Sequence, residues 1–304
     1  MSPSVLWPAL LGSAVLVAGI LSYRRELRAS GSYGLAALGP AFVAASLAAF
    51  AGEHFTAAAS LAQLVPKWLP GRLFIAYFVG AAHLAAAVSI VAKRYVRWSA
   101  LCLFAMFALF VLLMDLPGAV AQPASRMAWI LAARETTFAV GALALFAFTV
   151  RVQSPLFARQ LATVARLWTA GVLVYYGVDH LLHPQLSPGV PSTAPTAGWV
   201  PAPHLLAYAV GALLVALGVA TFIEHVASAA AAIGGALMTA LTVVLYVPQF
   251  LRAGTAAAQV VGINFIFDTL LFAGTLLVIG RTIRATAPVG VEAAGVPAVE
   301  YQPS

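Results

Sequence analysis

The chain has 304 residues, of which 62% are apolar and only 8% charged, with a formal net charge of +7. Ordinary soluble domains carry roughly 25% charged residues, so a water-facing surface is excluded at this length, and lipid is the solvent that tolerates such a chain. The basic residues lie in short runs between apolar segments rather than in a patch or helix stripe, which points to membrane topology and away from nucleic-acid binding.

A spanning helix needs about 20 mostly apolar residues. In chain order the candidates are 5–23, 33–54, 72–92, 98–116, 127–149, 162–182, 203–223, 226–249 and 261–281, an all-α integral membrane fold of about nine transmembrane helices. The first apolar run precedes its charges, Arg24, Arg25 and Arg28, as suits an uncleaved helix inserted N-terminus outward. With that orientation the inner segments hold Arg24, Arg25, Arg28, Lys93, Arg94, Arg97, Arg151, Arg159, Arg166, Arg281 and Arg284, eleven of the 16 basic residues. Lys67, Arg72, Arg126 and Arg252 fall outside, and Arg134 falls within a helix. This asymmetry predicts an outer N-terminus and a cytoplasmic C-terminus in a cell inner membrane. The six tryptophans stand near helix ends, as an interfacial belt requires. Cys102, the only cysteine, lies in an apolar run and reads as a small core residue, with no disulfide or thiolate cluster to build. Residues 285–304, rich in Ala, Pro, Val and Gly, read as a disordered tail.

Similar patterns recur in fixed order about 130 residues apart. Glu53-His54-Phe55 answers Asp179-His180-Leu181, and Trp68-Leu69-Pro70 answers Trp199-Val200-Pro201. Seven positions beyond each of those prolines comes Tyr77 or Tyr208, then Gly80 or Gly211. Pro117 answers Pro248, and Glu135-Thr136 with Gly141 answers Asp268-Thr269 with Gly274. The pattern predicts an extra N-terminal helix with a basic loop (1–32), a first four-helix repeat (33–150), a second (151–284) and the tail (285–304). Four helices is an even number, so both repeats enter from the same side. They are therefore expected to be parallel, related by an axis along the membrane normal.

The stretch from Gly52-Glu53-His54-Phe55 through Val65-Pro66-Lys67-Trp68-Leu69-Pro70-Gly71 to Tyr77 and Gly80 resembles the DoxX-like family of four-helix membrane proteins. Arg134-Glu135 before Gly141-Ala142-Leu143 also fits that pattern. His83 stands where many relatives are expected to carry an acid. The second copy departs further, with Ala202-Pro203 in place of Gly71-Arg72 and a longer proline-rich loop from Pro184 to Pro203. The resemblance implies a subunit or partner of quinone-linked oxidoreductases, with quinone and oxidoreductase subunits as partners and no intrinsic redox cofactor.

Ionisable groups within a bilayer are costly, about 2.5–3.5 kcal/mol each on insertion scales, so their placement carries information. Glu53, Asp115, Glu135, Asp179 and Asp268 all fall in the outer parts of the expected helices, with Arg134, His54, His180 and His204 at similar depth. The expected site is therefore one or two polar, outward-facing pockets, with Glu53, His54, Arg134 and Glu135 clustered in the first repeat and Asp179, His180 and Asp268, with His204 nearby, in the second. A carboxylate beside a histidine suits proton exchange with a quinone or a co-transported solute. Tyr77 and Tyr208 are candidates to flank a flat lipid-soluble ring. Three other readings stay open: interfacial charges that only specify packing, a metal at Asp179, His180 and His183, and a haem held through His54 or His83. A transporter and a structural or assembly protein are the competing functions.

Overall fold

The computed structural model describes residues 2–31, 34–190 and 192–287. Among these residues the long helices are α1 (Pro3–Ala29), α2 (Gly39–Thr56), α3 (Arg72–Ala92), α4 (Val96–Ala121), α5 (Arg126–Val150), α6 (Pro155–Leu182), α7 (Pro203–Phe222), α8 (Glu224–Leu251) and α9 (Ala256–Thr286). The chain is an all-helical, multi-pass membrane protein, and eight of these helices are long and apolar enough to cross a bilayer. The exception is α2, which opens on Gly39-Pro40 and closes with Glu53 and His54. The helix expected over 33–54 is shorter than its apolar run because Pro40 sits in the first turn, where a missing N–H is harmless. A separate turn, Gly34–Ala37, precedes it. Of the tail expected over 285–304, Ala285 and Thr286 continue α9, and residues 288–304 lie outside the described residues.

The helix α9 is the central element: 94% of its most apolar window is buried, against 17% for α4. It packs on α2, α5, α6 and α8. Lipid offers no hydrophobic drive for helices to associate, so close approach through small residues must supply the contact. Gly274 of α9 lies on the backbone of α2, where an added β-carbon would meet Gly39 O and Val43 N at 2.8 Å. On α1, Gly12 and Gly19 sit against Ala49 and Ala41 of α2. Cys102, expected in the core, is instead exposed on α4, whose surface is mostly turned away from the bundle.

The helices α4 and α8 each contain a π-helical turn, at Val111–Asp115 and Thr242–Tyr246, 131 positions apart. Each is followed by a proline in the second position of the next α-helical turn, Pro117 and Pro248. Proline has no N–H to donate to the carbonyl four residues back, and its ring crowds that carbonyl. The turn before it widens, and Leu116 and Val247 bond to the carbonyls of Val111 and Thr242, five residues back.

The two ends of the bundle differ. At one, Glu26 of α1 is held by Lys93 at 2.7 Å and Arg281 at 2.5 Å, joining the ends of α1, α3 and α9. Tyr23 and Ser22 add hydrogen bonds to Ile90 O and Val91 O. Toward the opposite end lie the acids of the candidate site.

Candidate functional site: a charged cluster where α2, α5 and α9 meet

Arg134 projects from α5 into the contact with α9. Its Nη1 donates to Asp268 Oδ2 at 2.9 Å and its Nη2 to Glu135 Oε1 at 2.8 Å, with all three side chains largely buried. Glu53, at the end of α2, faces the side-chain amide of Asn264 on α9, which in the orientation that satisfies both groups donates its nitrogen to Oε1 and, at 3.0 Å, to Oε2. Glu53 lies within the electrostatic reach of Arg134 and Asp268. Asp115, at the π turn of α4, is likewise in the field of Arg134 and Glu135. Four carboxyl groups thus surround one guanidinium. Two polar atoms of the cluster are buried without a hydrogen-bond partner: the donor Arg134 Nε and the acceptor Asp115 Oδ2.

Sequence reasoning expected two separate clusters, one per repeat. The geometry brings Arg134, Glu135 and Asp268 together across the two sets and sends the remaining candidates elsewhere. Asp179 is gripped by Arg126, the first residue of α5, through Nε–Oδ1 at 2.6 Å and Nη2–Oδ2 at 2.5 Å. Arg126 Nη2 also donates to Ser192 O and Oγ. His180 Nδ1 donates to Tyr176 O at 2.6 Å, and its Nε2 accepts the Gly189 N–H at 2.8 Å. Both nitrogens are therefore occupied, which removes His180 from the metal set weighed with Asp179 and His183. Among the described residues, no three His, Cys, Asp or Glu side chains are grouped as a metal would need. His204, Tyr77 and Tyr208 are exposed on the bundle exterior and do not face the cluster.

His54 donates from Nδ1 to Phe50 O four residues back, as His180 does to Tyr176 O. A β-carbon on Gly80 would lie 2.7 Å from His54 Cβ, and one on Gly211 would lie 3.1 Å from His180 Cβ. The two histidines thus occupy matching niches against matching glycines. Beyond that they differ. His54 meets the ring of His83 edge-on at 5.4 Å between centroids, a spacing too small for a porphyrin to stand between the two imidazoles. His180 instead fastens the 183–202 loop, which Tyr246 and Thr269 also hold through Pro188 O and Val190 O.

Asn264, Arg126 and Ser192 are the polar partners that sequence reasoning missed. Arg126 carried a signal, a base close to a helix start, but its charge was absorbed into the outer loops. Asn264 carried none beyond being an amide within an apolar helix.

A family model described as Domain of unknown function (DUF8561) matches residues 43–145, about a third of the chain, from within α2 to within α5. Comparisons with curated proteins and with solved structures give no match.

Proposed function

We propose that this protein is a DoxX-like membrane protein of nine spanning helices, N-terminus outside and C-terminus cytoplasmic, with two parallel four-helix repeats behind α1. Its Arg134 cluster offers a polar site near the outer face to a quinone or similar lipid-soluble partner of a membrane oxidoreductase. The matching π turns and the matching His–Gly niches support the duplication, as does a family match confined to the first set. The observation that carries the binding reading is that one cluster holds both an unused donor, Arg134 Nε, and an unused acceptor, Asp115 Oδ2. Each buried polar group left unmatched costs about 1–3 kcal/mol. A quinone carbonyl accepts from the first, a quinol hydroxyl donates to the second, and the neighbouring carboxylates can exchange protons with the ligand.

Solvent extraction of protein purified from native membranes should yield quinone at near-stoichiometric amounts. Glu135→Gln should lower that amount while leaving the protein folded and inserted, because a glutamine can keep the Arg134 contact through its carbonyl. Absence of quinone from wild-type protein would reject the reading.

A second reading, that the cluster only specifies helix packing, is favoured by the way Arg134 ties α5 to α9. It predicts that Glu135→Gln changes thermal stability and nothing else. A proton-coupled transporter needs access from both faces, and the Glu26–Lys93–Arg281 network draws α1, α3 and α9 together at the basic end.

A further inference from the structure

The duplication makes each half of the molecule a control for the other, and one interior position differs in kind. His83, at the middle of α3, is 3% exposed, and neither ring nitrogen has a hydrogen-bond partner. A neutral imidazole offers one donor and one acceptor, and burying both unmatched is costly. Its neighbours are rings: His54, Phe50 at 6.2 Å and Phe107 at 5.9 Å between centroids. Phe107 continues to Phe138 at 5.8 Å, and the Arg134 guanidinium lies 6.0 Å from the Phe138 ring. With the offset of 131 set by Gly80 and Gly211, His83 and Phe107 correspond to Leu214 and Met238. With the offset of 133 set by Glu135 and Asp268, Phe138 corresponds to Leu271. All three counterparts are buried aliphatic residues in the main core. The second repeat therefore fills this space with hydrocarbon, whereas the first keeps an unsatisfied imidazole among aromatic rings.

Phe107 has a second neighbour. Its other contacts border an internal apolar gap lined by Val43, Leu103, Phe138, Gly141 and Thr275. A turn of the Phe107 side chain would expose His83 toward this gap, and a ring would have to take the place of the Phe107 side chain, because the gap alone has room for about one water molecule. The helices α3 and α4 are also the most loosely packed consecutive pair of the first set.

We infer that His83 is a ligand-binding residue, and that the first repeat alone holds a site for an uncharged, ring-bearing lipid-soluble molecule whose carbonyl or hydroxyl hydrogen-bonds to the imidazole. Aromatic walls suit a flat ring, the position within the bilayer requires a lipid-soluble molecule, and one imidazole needs only one carbonyl or hydroxyl of that molecule within reach. The inference rests on the ring-bearing partner proposed above and adds its location and a count of one such site per chain.

The test is equilibrium binding of decylubiquinone to the full-length protein in lipid nanodiscs. His83→Leu restores the residue found at the matching place in the second repeat, so the fold has a precedent for it. It should weaken binding at least tenfold, and His83→Asn, which keeps a donor and an acceptor, should recover most of the loss. Equal binding by wild type and His83→Leu, with loss on Glu135→Gln, would overturn the inference and leave the Arg134 reading intact. No binding by wild type would overturn both. Should His83→Leu fail to fold, nitrogen NMR of histidine-labelled wild-type protein decides. Decylubiquinone should move the His83 ring signals and leave those of His180 in place, and unmoved His83 signals at saturation would overturn the inference.

Discussion

Arg126 and Asp179 form a forked ion pair that fastens the start of α5 to the end of α6, with both nitrogen–oxygen contacts at 2.5–2.6 Å. Glu53 and Asn264 make the corresponding connection between α2 and α9. In each case an acid at the end of the first helix of one set is held by the last helix of the other. The end of the bundle opposite Glu26 is thereby closed by two reciprocal ties.

Removing one member of a buried pair leaves the other charge unmatched, at a cost of about 3–5 kcal/mol. Arg126 is partly exposed, so Arg126→Ala is expected near the lower end of that range, read as a lower thermal unfolding midpoint in detergent. Because Arg126 also holds Ser192, limited proteolysis should reach the 183–202 loop in this variant and not in wild type. Arg126→Lys should recover only part of the loss, since an ammonium cannot fork onto two oxygens. Wild-type stability in Arg126→Ala would mean that the tie contributes nothing.

The glycines at the helix crossings give a graded series. A β-carbon on Gly211 would come within 2.9 Å of Gly177 O, and one on Gly177 within 2.7 Å of Gly211 O. Gly211→Val should force α6 and α7 apart and destabilise by about 1–3 kcal/mol, the usual range for overpacking. Gly118, with nothing within 4 Å of its added β-carbon, serves as the control. Gly118→Ala should be neutral or slightly stabilising because alanine is the better helix former. Equal loss in both variants would show that close packing is not what the glycine at 211 provides.

Topology is open to a direct measurement. Reporter fusions placed after Arg28 and after Arg97 are expected to score cytoplasmic, and a fusion after Arg252 to score external. An external signal from either of the first two would make the count of nine crossings wrong, with α2 the first helix to question because it alone of the nine falls short of the length and apolarity of a crossing.

Much of the fold was legible because a bilayer imposes one length on apolar segments. The range expected for α3 agrees with the structure at both ends, since the chain changes character sharply at Gly71-Arg72 and Lys93-Arg94. The irregular turns of α4 and α8 were foreshadowed only as the paired prolines Pro117 and Pro248. The partners of the charges were not legible. Arg134 finds Asp268 134 residues away, and no periodicity relates two helices that meet only after folding. Nor does a proline-rich stretch announce that its carbonyls are bound from three directions, as those of Pro188, Val190 and Ser192 are. Tyr77 and Tyr208 match each other in sequence position and are both 46% exposed, which leaves them away from the buried charged cluster.

The position of Arg134 bears on how such a molecule could have arisen. On the proposed duplication its counterpart at the offset of 133 is Phe267, a buried apolar residue, whereas Glu135 and Asp268 are both acids. Two free copies of a single unit, associating as identical subunits, would bring a guanidinium from each side wherever they brought one, and two cations would face two acids. Joining the copies in one polypeptide lifts that constraint, because each half can then mutate alone. On the proposed duplication, one half holds the cation and the lone imidazole, and the matching positions of the other are buried and apolar. Residues 33–150 expressed alone and allowed to self-associate therefore cannot rebuild this charge arrangement, since the asymmetry belongs to the fused chain and to neither half of it.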